Sequence, residues 1–299
     1  MISAIVHTYN EEENIERCLA SLGFVDEVVV VDMGSTDKTL SIAEEFHAKI
    51  FHHPYTGFVE PARNFAIEKA TGDWIFILDA DEEVPKNLSK RILAVVSGNK
   101  YDYVRIPRMN IIWGKWIKHT GWWPDYQIRL FRKGNVEWVD TIHGVPFTKG
   151  VGSDLEASEK VSIIHYNYLS LDQYLSRMNR YTTVVAKEMY MGNKRFSLKD
   201  LFDFPTQEFI RRFFVWEGYK DGLHGLALSL LQSFSELVTY LKLWELEGLK
   251  DHKYTVSEVH SLFTKEYKEK DYWFVTELLK EPNTWEKKLS LKLKRRLKI

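Results

Sequence analysis

Apolar and polar positions alternate in blocks over the first hundred residues. Ile2–Val6 is a short apolar run that predicts a buried strand, closed by His7-Thr8-Tyr9-Asn10. Asn10 has the character of an N-cap. Glu11, Glu12 and Glu13 would then fall in the first turn of a helix, where acids suit the positive end of the macrodipole. Val28–Val31 predicts a second strand ending at Asp32, after which Ser35 or Thr36 opens a helix carried by Leu40, Ala43 and Phe46. A third strand is expected near Lys49–His52, and Pro61 suits the first position of a helix through Ala70. Trp74–Leu78 predicts a fourth strand that stops at Asp79-Ala80-Asp81, and Pro85 begins a helix to about Val96. Strands alternating with helices predict βαβ units, an α/β class and a mostly parallel sheet.

In such sheets, ligands bind beyond the carboxyl ends of the strands. Polar residues collect beyond three of these ends: Thr8 and Tyr9, then Asp32, then Asp79 and Asp81. The first strand–helix turn has no G-x-G-x-x-G, and the chain has no Walker A loop. A diphosphate would therefore be neutralised by something other than a glycine cradle. Two aspartates one residue apart suit Mg²⁺ or Mn²⁺, which take one or two carboxylates and fill their other positions with water and phosphate oxygens. The plainer reading is a solvated acidic turn that caps the following helix; Asp32 on a neighbouring strand end favours the metal.

Tyr103–Met109 and Gln127–Phe131 also have strand character, and between them lies WGKWIKHTGWWPDYQ. That stretch is either a loop packed on its own tryptophans or an acceptor loop from which Asp125 emerges. Leu171–Met191 is helical in pattern. The longest apolar stretch, Leu223–Trp244, carries His224, Gln232, Glu236 and Lys242. A spanning helix needs ~20 nearly uncharged residues, so this segment is not expected to cross a bilayer. Phe209, Phe213, Phe214 and Trp216, interleaved with Arg211 and Arg212, read as interfacial or as the packing face of a helical subdomain. A further helix is expected over Val256–Lys280. The tail KKLSLKLKRRLKI alternates leucines with cations, each worth about 1 kcal/mol beside an anionic leaflet, unless it is simply a solvated basic end.

Net charge is −1 over 299 residues, which gives no global reason to expect nucleic acid. Cys18 is the only cysteine, so there is no disulfide framework. The amino-terminal apolar run leads into HTYNEEEN rather than a cleavage site, and a reducing, cytoplasmic compartment is expected.

Taken together, VHTYNEEENIERCLASL, VVVDMGSTDKT, ARNFAIEKATGDWIFILDADEE and HTGWWPDYQIRLFRKG resemble the inverting family 2 glycosyltransferases, nearest to the branch of lipopolysaccharide-core glucosyltransferases. The resemblance covers roughly residues 1–245. It implies a GT-A catalytic domain over 1–168 and a helical membrane-proximal region over 169–250; the last fifty residues do not match the branch, and 251–299 reads as a basic helical extension. It also implies roles. Thr8 and Tyr9 would line the nucleobase and ribose pocket, Glu11 the ribose, and Asp32 would accept from the base. Arg63 would steady base and pyrophosphate, Asp79 would meet ribose or metal, and Asp81 would ligate Mg²⁺ or Mn²⁺. His165 resembles a late histidine that closes some of these metal sites. Aromatic stacking with a carboxylate acceptor suits uracil, hence a UDP-sugar donor. The branch often reads V-H-E where this chain has His143-Gly144, which leaves Asp125 and Asp140 as candidate bases and His143 as an orienting or purely structural group. The expected activity is metal-dependent transfer of a hexose, glucose from UDP-glucose, to a glycan or glycolipid acceptor at the inner face of the membrane. Two rivals stay open, a polyprenyl-phosphate glycosyltransferase and a catalytically silent scaffold of the same fold, as does a homo-oligomer.

Overall fold

The computed structural model describes residues 1–55, 60–139, 146–282 and 284–297. It divides into two units, Met1–Trp116 with Trp122–Asn167, and Ile117–Gly121 with Tyr168–Ile299.

The first unit carries strands β1 (Ile2–Thr8), β2 (Glu27–Asp32), β3 (Lys49–His52), β4 (Trp74–Asp79), β5 (Glu82–Glu83), β6 (Tyr103–Ile112), β7 (Lys115–Trp116), β8 (Asp125–Arg132), β9 (Val136–Glu137), β10 (Phe147–Thr148), β11 (Gly152–Asp154) and β12 (Ile163–Tyr168, its last residue in the second unit). Helices α1 (Ile15–Ala20), α2 (Thr39–Glu45), α3 (Glu60–Lys69) and α4 (Lys86–Gly98) connect the early strands. Among the described residues, ten strands form one sheet, with β3-β2-β1-β4-β8-β6-β12-β5 along its main path. Pairing is parallel from β3 through β4, as βαβ crossovers require, and antiparallel where β8 joins β4 and β6. Successive residues serve opposite faces. Ala4, Val6, Phe76 and Leu78 pack toward Leu19, Leu88 and Ile92, whereas Ile5, Ile75 and Ile77 pack toward Ala62 and Ala66. Each fully buried Ile or Leu contributes roughly 1.5–3 kcal/mol. That two-sided burial is why these strands are continuous apolar runs.

At the amino ends of the strands, Glu27 is a latch. Its carboxylate accepts from Ser3 Oγ, Lys49 Nζ at 2.6 Å and Thr71 N at 2.8 Å. Burial opposes its ionisation, but Lys49, Ser3 and Thr71 outweigh it and bring its pKa to about 2. A Cβ on the neighbouring Gly72 would stand 2.7 Å from Ser3 Oγ, so only glycine lets the chain pass here.

Two helix starts differ from expectation. Asn10 does not cap α1; it has φ 53°, and its Oδ1 accepts from Thr36 N at 2.8 Å. The side chain spends its acceptor on tying the β1 loop to the β2 loop, so the helix waits until Ile15. Asp37 likewise accepts from Thr39 N at 3.0 Å, and α2 opens at Thr39 rather than at Ser35 or Thr36.

The second unit is helical: α5 (Leu171–Met191), α6 (Asp200–Ile210), α7 (Leu223–Leu246), α8 (Val256–Leu278) and α9 (Trp285–Leu297). Between α6 and α7 the chain makes a π-helical turn over Arg211–Val215 and a 3-10 turn over Gly218–Asp221. A Cβ on Gly225 would lie 1.8 Å from the Gly218 carbonyl oxygen, which accounts for the small residues in this turn. Five residues of the tryptophan-rich loop belong to this unit. Asp221 accepts from His119 N at 2.8 Å, and Arg212 donates to the Thr120 carbonyl at 2.7 Å. The aromatic-basic patch is split between interior and surface, with Trp216 and Arg211 exposed. Phe209 and Phe214 are buried, Phe214 stacks on Trp273, and buried Glu208 engages both Arg211 and Arg212. Among the described residues, no helix is long and apolar enough to cross a membrane.

Candidate functional site

Parallel register brings the polar strand ends side by side. Thr8 lies opposite Asp32, His7 opposite Asp79, and Asp32 opposite His52. Thr8 is buried, and its Oγ1 has no hydrogen-bond partner among the described residues. Asp32 is also buried. Its Oδ2 accepts from Gly34 N at 3.0 Å and Ser35 N at 3.2 Å, with His52 Nδ1 3.5 Å away. Tyr9 and Tyr55 are partly exposed and stack at 4.4 Å between ring centroids. Glu11 Oε2 accepts from Asn14 Nδ2 at 2.8 Å.

Inside these ends lies a dense ionic network. Asp79 accepts from Arg129 Nη2 at 2.5 Å, and Arg63 stands 3.6 Å from its other oxygen. Arg63 is presented by α3, which Asn64 anchors by exchanging two hydrogen bonds with the Trp138 backbone. Glu82 is fully buried; it accepts from Asp79 N at 2.9 Å, Arg129 at 2.5 Å and Arg108 at 3.2 Å. Burial would raise the Asp79 carboxyl, but Arg129, Arg63 and Arg108 together hold it well below the usual carboxylate range. For Glu82 burial wins, and its carboxyl is raised even beside Arg129. His7, desolvated and facing Arg63, is lowered to about 3 and stays neutral.

Asp125, at the start of β8, accepts from Arg108 Nη2 at 2.6 Å, Arg108 Nε at 2.8 Å, Asn110 Nδ2 at 3.2 Å and Gln127 Nε2 at 2.8 Å. Burial opposes its ionisation, yet Arg108, Gln127 and Asn110 lower its pKa. It is ionised, as a base must be, but restrained as a proton acceptor.

Asp81 faces His165, with Oδ2 and Nε2 3.4 Å apart. Asn110 fixes the imidazole. Its Nδ2 points at two acceptors, the Trp122 carbonyl and Asp125, so its Oδ1 faces His165 Nδ1 at 2.7 Å. Asn167 Nδ2 donates to the same Oδ1 at 3.1 Å. Nδ1 therefore carries a proton, and Nε2 is turned toward the Asp81 carboxylate. An imidazole nitrogen and a carboxylate oxygen side by side are ligand types that a divalent cation accepts. Adjacent ligands on an octahedral ion with bonds of ~2.1 Å stand about 3.0 Å apart, so a small side-chain shift brings the pair onto one edge of a divalent site. Among the described residues, no three His, Cys, Asp or Glu side chains converge as a complete cage. The remaining positions would fall to phosphate and water.

The structure thus gathers Arg63, Asp79, Asp81, Asp125 and His165 into one connected network, and sets Thr8 and Asp32 on the adjoining strand ends. Asp140 and His143 lie outside the described residues. Glu82, Arg108, Asn110 and Arg129 were not singled out from the sequence. A signal existed: Arg129 interrupts the apolar run of QIRLF, and Arg108 and Asn110 interrupt IPRMNII. Charged groups are almost never fully buried unless paired.

The family model described as Glycosyl transferase family 2 matches residues 3–151. A glycosyltransferase of Rickettsia bellii is 30% identical over 260 residues, covering 82% of this chain and 86% of its own length. The lipopolysaccharide core biosynthesis glycosyltransferase LpsC of Rhizobium meliloti is 24% identical over 262 residues, 83% of this chain and 94% of that protein. Among solved structures, S. aureus TarS 1-349 superposes with a TM-score of 0.43 at 17% identity, covering 85% of this chain and 94% of that one.

Proposed function

The chain belongs to glycosyl transferase family 2 and is a nucleotide-sugar glycosyltransferase; from that premise we propose that it moves a hexose, with inversion and with the help of Mg²⁺ or Mn²⁺, from a UDP-sugar to a glycan or glycolipid. The observation that carries the reading is the pair Asp81–His165 with its tautomer set by Asn110. UDP-glucose is the proposed donor. LpsC is a relative in lipopolysaccharide core biosynthesis, and a surface glycolipid precursor is the acceptor class that kinship favours.

In this reading, Asp81 and His165 hold the ion. When bound, it would neutralise the departing diphosphate as the bond from the anomeric carbon to the phosphate oxygen breaks. Arg63 adds a fixed positive charge at the same strand end, and Asp79, held by Arg129, orders the floor of the site. Tyr9 and Tyr55 offer aromatic faces to the base, and Thr8 Oγ1 a hydroxyl with its hydrogen-bonding capacity unspent. Asp32 supports the Gly34–Ser35 turn and is the acceptor for the uracil imide. Asp125 Oδ1, which among the described residues receives only Gln127, accepts the proton of the attacking hydroxyl. Glu11 takes the ribose, and Asp140 is the alternative base.

A specific observation favours a second reading. The donors crowding Asp125 weaken it as a base, and a phosphate acceptor, as in polyprenyl-phosphate glycosylation, needs none. Cationic residues of the helical unit support docking at the inner membrane surface in either case.

A thermal-shift panel of UDP-, GDP- and ADP-sugars, with Mn²⁺ and with EDTA, tests the proposal. Stabilisation by UDP-sugars that requires the metal is expected. Metal-independent stabilisation, or none by any nucleotide sugar, would overturn it.

A further inference from the structure

The helical unit contains a groove of about 1000 Å³ between α6, the π-helical turn and α8. Its floor is apolar: Ile210, Val215, Tyr272 and Trp273. Its rim is cationic, with Arg211, Lys265 and Lys268 against the one acid Glu269. These cations are not equivalent. Glu208 engages Arg211, and Asp203 engages Lys265 at 2.7 Å. Lys268 is exposed and makes no ion pair among the described residues. Val215 is 53% exposed, although it lies on the floor of this apolar space.

The neighbouring face of α8 carries a second cationic element. Lys294 of α9 pairs with Asp271 at 2.7 Å, which sets α9 beside the helix that lines the groove. Within its described length, α9 has Lys287, Lys288, Lys292, Lys294, Arg295 and Arg296 against Glu286 alone. Trp285, Leu289 and Leu293 recur every four residues and are exposed, forming an apolar stripe along a basic helix. A helix of this kind lies in the headgroup plane of an anionic bilayer.

We propose that the groove is a lipid-binding site that seats one anionic phospholipid of the bilayer, its acyl chain on the Ile210–Val215–Tyr272–Trp273 floor and its phosphate at Lys268. Charge complementarity selects the occupant. An anionic phospholipid can use both features at once, its phosphate at Lys268, which makes no ion pair among the described residues, and its acyl chain on the apolar lining. Basic α9 supplies general attraction to the leaflet, and the groove supplies a defined seat within it. The site rests on the membrane-docking part of the proposed function and is independent of the donor site.

Full-length protein with vesicles of phosphatidylglycerol in phosphatidylcholine, and of phosphatidylcholine alone, provides the test. Lys268→Glu and Val215→Glu change exposed side chains and leave the fold intact. Co-sedimentation with the anionic vesicles should weaken about five-fold or more in Lys268→Glu, each basic charge near the leaflet being worth about that factor. Val215→Glu should weaken it similarly. Acyl chains brominated near the carbonyl should quench a tryptophan signal that Trp273→Phe removes. UDP-sugar stabilisation should be unchanged in all three variants. If both charge variants bind as the parent does, or quenching is the same in Trp273→Phe, the groove is not the seat and α9 alone docks the protein. If the parent binds neither vesicle, the lipid site and the membrane reading fall together. If inorganic phosphate at millimolar concentration abolishes vesicle binding, the site is for a soluble anion and the proposal fails.

Discussion

His165 Nε2 and Asp81 Oδ2 stand 3.4 Å apart, and the hydrogen bond from His165 Nδ1 to Asn110 turns Nε2 toward the carboxylate. In the proposed function this pair holds the divalent ion, with Asp81 as its anionic ligand. Asp81→Asn should therefore abolish saturable Mn²⁺ binding, measured by electron paramagnetic resonance, while the thermal midpoint of the metal-free protein stays the same or rises. Unchanged Mn²⁺ affinity would remove Asp81 from the metal site.

Asn110 is fully buried and acts on the ion only through His165. Asn110→Ala frees the ring to change tautomer and removes one hydrogen bond each from Asn167 and Asp125. Mn²⁺ should bind at least ~10-fold more weakly, the usual scale for losing an outer partner of a metal ligand. The fold should lose about 1–3 kcal/mol. Loss of stability with Mn²⁺ affinity intact would mean that Asn110 serves packing alone.

Arg129 bridges Asp79 and the fully buried Glu82. Arg129→Met leaves two interior carboxylates sharing what remains of Arg108 and Arg63. Urea denaturation should report a loss of about 3–5 kcal/mol, the cost of breaking a buried ion pair from one side. A loss below about 1 kcal/mol would show that Glu82 is protonated and needs no counter-charge.

Much of this was legible in the sequence, and the boundary is informative. Strands at Ile2, Glu27 and Trp74 could be read because burial on both faces demands unbroken apolar runs, whereas Lys49–His52, exposed at both ends, leaves a fainter pattern. The strand-end residues followed from them, since register alone sets Thr8 beside Asp32 and His7 beside Asp79. Arg129 and Glu82 escaped because their meaning lies in a pairing 47 residues apart in the chain, which no local pattern encodes. The interior position of Phe209 and Phe214 escaped for a similar reason. An aromatic-basic cluster does not reveal in sequence that buried Glu208, four residues before Arg212, engages both arginines.

His7 makes stability depend on pH. Its folded pKa of about 3 lies below the unfolded 6.5, so as pH falls through 6.5 the unfolded chain gains a proton that the native state refuses. Stability is complete above pH 6.5 and declines below it, by about 2 kcal/mol at pH 5. Glu27 adds its own loss only below its ordinary 4.5. Denaturation at pH 7 and pH 5 should show that slope in the parent and a flatter one in His7→Gln. Equal slopes would place the proton elsewhere.

Asp125 carries the proposed chemistry. Asp125→Asn should leave UDP-sugar and metal binding intact and reduce transfer to a hydroxyl acceptor by ~10²–10⁴. Asp140→Asn is the parallel test of the other candidate, and full transfer in both variants would move the acceptor to a phosphate.

A divalent ion held by Asp81 and His165 should bind a uridine diphosphate sugar, which calorimetric titration of UDP-glucose into the protein measures. With Mn²⁺ present, one saturable site per chain is expected, lost on adding EDTA and lost in His165→Ala. The same affinity with EDTA as with Mn²⁺ would contradict it.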